Sequence, residues 1–134
     1  MKKTDRPPVF WALVVLLGIE LAGIAAVAVV LLVDLVAAEP ASLATAVALT
    51  VLVLVAVAWM AATIVALLRG QAWVRASAIV WQVLQFAIGL GALQGAFAQP
   101  GWGWPLIVVA VLTAGMLFLP PVVRATQERA PRGD

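Results

Sequence analysis

Residues 9–33 read VFWALVVLLGIELAGIAAVAVVLLV, a run from Val9 to Val33 whose one ionisable side chain is Glu20. At about 1.5 Å of rise per helical residue, roughly 20 residues cross a hydrocarbon core of about 30 Å. The run is long enough for that with residues to spare. Lys2 and Lys3 before it and the small Ala38 behind it also fit a cleaved signal peptide, but signal h-regions are about 7–15 residues long. This run exceeds that and carries Glu20, so it reads as a retained membrane helix.

Working outward, three more apolar runs follow: Ala41 to Leu68, about Ala76 to Ala98, and about Trp102 to Leu119 or slightly beyond. The expected helices are therefore about 9–33, 41–68, 76–98 and 102–122. Valine is frequent, but strict alternation of apolar and polar residues is absent, which argues against a β-barrel. The punctuation agrees. Asp34, Glu39 and Pro40 separate the first two runs, and Ser42 is placed to cap the second helix. Arg69-Gly70-Gln71 separates runs two and three. Gln99-Pro100-Gly101-Trp102-Gly103-Trp104-Pro105 separates runs three and four, and Pro120-Pro121 weakens or kinks the end of the fourth. Residues 124–134 form a short polar tail expected to fray.

The chain has 134 residues, 66% of them hydrophobic and 10% charged. Soluble domains carry roughly 45–50% apolar and about 25% charged residues. A water-soluble fold of this composition would expose large apolar patches, a problem that lipid removes. The sequence pI of about 10.0 accompanies a net charge of only +2. The basic residues are dispersed, whereas a nucleic-acid site needs them clustered, so no nucleic-acid partner is expected. With no Cys, His or Tyr, thiolate chemistry, imidazole base catalysis and most metal sites are excluded. No cofactor, metal or catalytic residue is assigned, and the chain is read as a non-enzyme. Arg outnumbers Lys six to two, and Ala, Val and Leu dominate, as in a GC-rich bacterial genome.

Orientation follows from charge. Lys2, Lys3 and Arg6 precede helix 1, Arg69 and Arg75 flank the helix 2–3 connection, and Arg124, Arg129 and Arg132 follow helix 4. A four-span, N-in arrangement puts all eight on one side, and the positive-inside rule makes that side cytoplasmic. The opposite connections carry Asp34 and Glu39. Short links make sequential helices antiparallel neighbours. The fold class expected is thus all-α: a four-transmembrane-helix up-down-up-down bundle, N-in and C-in, forming a single membrane domain over 1–134. Trp11 and Trp73 are expected at the inner interface, and Trp102 and Trp104 at the outer one, as anchors.

Inside the spans, Glu20 lies about twelve residues into helix 1. An ionised carboxylate near the midplane is costly, so its side chain should face the bundle interior. Gln82 and Gln85 share one face of helix 3, and Gln85 and Thr113 fall near the depth of Glu20. A Glu20–Gln85 hydrogen bond is predicted, with Gln82 or Thr113 nearby. The cluster Glu20, Gln82, Gln85 and Thr113 reads either as a polar clamp between helices 1 and 3 or as a proton or cation site, and the clamp is preferred. Arg69 and Arg75 are expected to reach anionic headgroups. Ala87, Gly91 and Gly95 form a small-residue row on helix 3, expected to allow close helix approach within the chain, with a dimer interface as the alternative. Gly18-Ala22-Ala26 and Ala58-Ala62-Ala66 make weaker rows.

Two resemblances bear on function. LLRGQAWVR from Leu67 to Arg75, VWQVLQ from Val80 to Gln85 and LFLPPVVR from Leu117 to Arg124 resemble a pattern of small actinobacterial four-helix integral membrane proteins of unknown function. That resemblance covers the second half of the chain and implies no activity. The segment Gly18-Ile19-Glu20-Leu21-Ala22-Gly23 is similar to the first helix of small multidrug resistance transporters, which implies a proton-coupled transporter built on Glu20. The later aromatic and Gly-Pro features of that family are missing. The reading is a multi-pass protein of a bacterial cytoplasmic membrane, an accessory or assembly subunit. Its expected partners are the lipid bilayer and a membrane protein or a second copy of the chain.

Overall fold

A computed structural model of the chain describes residues 6–95 and 98–127. Lys2, Lys3, Arg129 and Arg132, on which part of the charge argument rests, lie outside the described residues. Among the described residues, five helices follow in order: α1 Pro8–Ala37, α2 Leu43–Leu68, α3 Val74–Ala92, α4 Pro100–Leu117 and α5 Pro120–Gln127. Four of them, α1 to α4, are long and apolar enough to cross a membrane, as the four runs predict. No strand occurs among the described residues.

The helix ends have local causes. α1 starts at Pro8, whose fixed φ suits the first helical position and whose missing N–H costs nothing there. It runs to Ala37, four residues past the predicted end, because Asp34 continues the helix and its carbonyl accepts from the Ala38 N–H. Ser42 caps α2 by accepting from the Thr45 N–H at 3.2 Å. α2 closes with a Schellman motif: Gly70 sits at φ 68°, its N–H donates to Leu67 O, and the Gln71 N–H donates to Ala66 O.

The prediction misplaces the end of helix 3, which stops at Ala92 instead of 98. Leu93 and Gln94 donate to Leu90 O and Gly91 O in a tightened last turn, and Gly95 takes the left-handed region at φ 84°. The end of helix 4 also differs. The missing N–H of Pro120 fits a new first turn, so α4 ends at Leu117 and α5 begins. The segment from Arg124 to Gln127, expected as frayed tail, is the last part of that helix. Val122 and Thr126 face inward from it, and Arg124 faces out.

The broadest contacts pair α3 with α4 and α1 with α2; α1 meets α4, and α2 meets α3, over smaller areas. The main cluster of buried side chains lies toward one set of helix ends. It gathers Phe10, Leu13 and Leu17 of α1, Met60, Ala66 and Leu67 of α2, Val74, Ala78 and Trp81 of α3, Leu117 of α4 and Val122 of α5. Arg6, Arg69, Arg75 and Arg124 belong to this end of the molecule by sequence position. The far parts of α1 and α2 are exposed along most of their length, with Val36 88% and Leu52 63% accessible.

Candidate functional site: the intramembrane polar cluster

Glu20 is half-buried on α1, while Gln82 and Gln85 of α3 and Thr113 of α4 are buried. The bond that joins α1 to α3 runs from Gln82 Nε2 to Glu20 Oε2 at 3.0 Å. Helices 1 and 3 do meet through Glu20: its shortest partner is Gln82, and the predicted partner Gln85 also lies within reach of the Glu20 carboxyl. Gln85 turns to α4, its Nε2 donating to Leu106 O at 3.0 Å. The reason is an offset of about one turn: Glu20 stands twelve residues past the start of α1 and Gln82 eight past the start of α3. Thr113 Oγ1 is buried without a hydrogen-bond partner, as are Glu20 Oε1, Gln82 Oε1 and Trp81 Nε1. Thr113 thus makes no hydrogen bond to the cluster.

A second polar group, unforeseen from the sequence, joins α2 to α3. Trp59 Nε1 donates to Ser77 Oγ at 2.7 Å, and Thr63 Oγ1 lies 2.8 Å from the same oxygen and 2.9 Å from Trp59 O. Trp81 meets Trp59 edge to face, with centroids 5.4 Å apart. The available signal was a tryptophan in mid-span, whose N–H needs an acceptor away from water.

Two of the basic residues bind helix ends. Arg75 donates from Nε to Leu117 O at 3.2 Å and covers the Phe118 ring. It closes the C-terminal end of α4, whose free carbonyls and negative dipole end suit a cation. Arg6 does the same for α2, donating from Nη2 to Leu68 O at 2.6 Å and lying over Phe10. Each helix pair therefore has an arginine from the first helix's N-terminal end on the last carbonyls of the second. Arg69 is exposed.

The small-residue row is not a packing seam within the chain. Ala87 and Gly91 are exposed, Gly95 lies beyond the helix, and added Cβ atoms at Gly91 and Gly95 would meet nothing within 4 Å. Close approach occurs one face away. A Cβ at Gly89 would lie 2.7 Å from Ile107 Cγ1 and 3.0 Å from Gly103 O, and one at Gly103 2.9 Å from Gly89 O. α3 and α4 cross backbone to backbone at this point.

Beside Gln82, α3 and α4 border an open groove of about 280 Å³ lined by apolar residues such as Val83, Phe86, Val111 and Phe118. Among the described residues, no three His, Cys, Asp or Glu side chains gather as metal ligands. No family model, curated protein or solved structure matches this chain. The fold and its polar cluster define the class: a small polytopic helical membrane protein.

Proposed function

We propose that the chain acts through helix packing, as an accessory or assembly subunit in a bacterial cytoplasmic membrane. The observation that carries this is the use made of the interior polar side chains. Gln82 and Glu20 join α1 to α3, Gln85 joins α3 to α4, and Trp59 with Ser77 joins α2 to α3. These bonds tie helices together, and the groove beside them is lined by apolar surface. The far parts of α1 and α2 are left free to face lipid or another membrane helix.

In this reading the four spans run up-down-up-down, with the basic ends and both ends of the chain on the cytoplasmic side. The support is the positive-inside bias together with Arg6 at the end of α2 and Arg75 at the end of α4. Trp11, Trp73, Trp102 and Trp104 are all exposed near helix starts, as interfacial anchors would be. The high Arg-to-Lys ratio and the resemblance of the second half favour an actinobacterial source. Because the chain lacks cysteine, single-cysteine variants report topology directly. Ala38→Cys and Gln99→Cys should react with an impermeant maleimide from outside spheroplasts, and Gln71→Cys only after lysis. A photo-crosslinking residue at Val36 or Leu52 should give one discrete protein adduct in native membranes. Adducts to lipid alone would contradict the accessory role.

The second reading is a proton-coupled transporter on Glu20, favoured by the unpartnered Glu20 Oε1. Proton-linked flux in liposomes that disappears in Glu20→Gln would establish it; equal flux in both proteins would remove it.

A further inference from the structure

The junction between α1 and α3 holds two buried oxygens that face a common shortage. Gln82 Nε2 supplies Glu20 Oε2, yet Glu20 Oε1 and Gln82 Oε1 have no donor. A carboxylate has no hydrogen to give and neither has an amide oxygen. Away from water, leaving both unpaired is costly. Turning the amide over does not help, because its oxygen would then face Glu20 Oε2 with no hydrogen between them. One added proton resolves every version of the contact.

We infer that Glu20 and Gln82 form a proton-binding site, a carboxylic acid–amide pair in which Glu20 Oε1–H donates to Gln82 Oε1 while Gln82 Nε2–H donates to Glu20 Oε2. Two planar groups then close a ring of two hydrogen bonds, and both orphaned oxygens are satisfied by a single hydrogen. The ligand is a proton and not a metal ion. Magnesium and calcium take six or more oxygens, and the paired side chains at this junction offer one carboxylate and one amide oxygen.

No other charge competes for the proton. The inward residues of α2 are Thr50, Met60, Thr63, Ala66 and Leu67, and those of α4 are Gly103, Ala110, Thr113 and Leu117. On α3 the neighbours Trp81 and Gln85 are uncharged; Gln85 directs its Nε2 to Leu106 O and also lies within reach of the Glu20 carboxyl. Arg75 is seven residues from Gln82, about 10 Å along the helix, and its Nε is bonded to Leu117 O. Asp34 is fourteen residues beyond Glu20, about 21 Å along α1. α1 and α3 are not among the helix pairs in broad contact, so the Glu20–Gln82 pair is the main polar link between them.

Infrared spectroscopy of the full chain in lipid nanodiscs, with glutamate carboxyls carrying carbon-13, tests the assignment. At neutral pH the wild type should show a carboxylic-acid carbonyl band that is lost in Glu20→Gln, which keeps the shape of the site. In Gln82→Leu the band should move toward the frequency of an unbonded acid, and in Gln85→Leu it should stay. Carboxylate bands alone in the wild type, or a band indifferent to Gln82→Leu, would overturn the pairing.

Discussion

The two helix pairs are built by different means. α3 and α4, of 19 and 18 residues, cross at Gly89 and Gly103, where each glycine lies against the other's backbone. α1 and α2, of 30 and 26 residues, pack through side chains such as Leu13, Leu17, Met60 and Leu67, and neither Gly18 nor Gly23 touches a neighbour. In lipid, apolar side chains gain little by meeting each other, so short helices gain most from backbone approach. A helix of 30 residues spans about 45 Å, well beyond a core of roughly 30 Å, and must tilt or project. The lesson is that a glycine matters by what stands opposite it.

Substitution at the crossing should break this contrast most strongly. Gly103→Ala puts a methyl 2.9 Å from Gly89 O, a backbone atom that cannot swing away. It should cost about 1–3 kcal/mol of stability, read by helix loss in an SDS titration in mixed micelles. Gly18→Ala, with open space around it, should instead gain about 0.5–1 kcal/mol from helix propensity. Equal effects at the two sites would abolish the distinction between the pairs.

Next in size is the bond between α2 and α3. Trp59→Phe removes the donor to Ser77 and should cost about 0.5–1.5 kcal/mol in the same titration, whereas Trp102→Phe, on an exposed ring, should cost much less. The smallest effect concerns what the pairs share. Arg6→Met and Arg75→Met each remove a cation from a helix C-terminus, and each should cost about 0.3–1 kcal/mol, diminished by added salt. A cost at Arg75 alone would mean that the two arginines are not equivalent.

Much of the fold was legible because span length and hydropathy are properties of a segment alone. The four runs, the Ser42 cap and the break at Arg69-Gly70-Gln71 needed no tertiary knowledge. The early end of α3 was hidden, because Leu93 to Ala98 looks as apolar as the helix before it and only the left-handed Gly95 stops it. The Gly89–Gly103 crossing and the Trp59–Ser77 bond depend on the register between helices, which spacing within one helix does not reveal. The polar cluster was half legible. Glu20 had to find a partner on α3, but choosing between Gln82 and Gln85 required knowing helix starts to within one turn.

The contact between α1 and α3 is open to direct measurement. A pair of double-mutant cycles at neutral pH, combining Glu20→Ala with Gln82→Ala and Glu20→Ala with Gln85→Ala, measures it by SDS unfolding. A coupling of about 0.5–1.5 kcal/mol is expected between Glu20 and Gln82, and a smaller one between Glu20 and Gln85. Coupling at Gln85 in place of Gln82, or at neither, would contradict a bundle whose two helix pairs are joined by the Glu20–Gln82 contact.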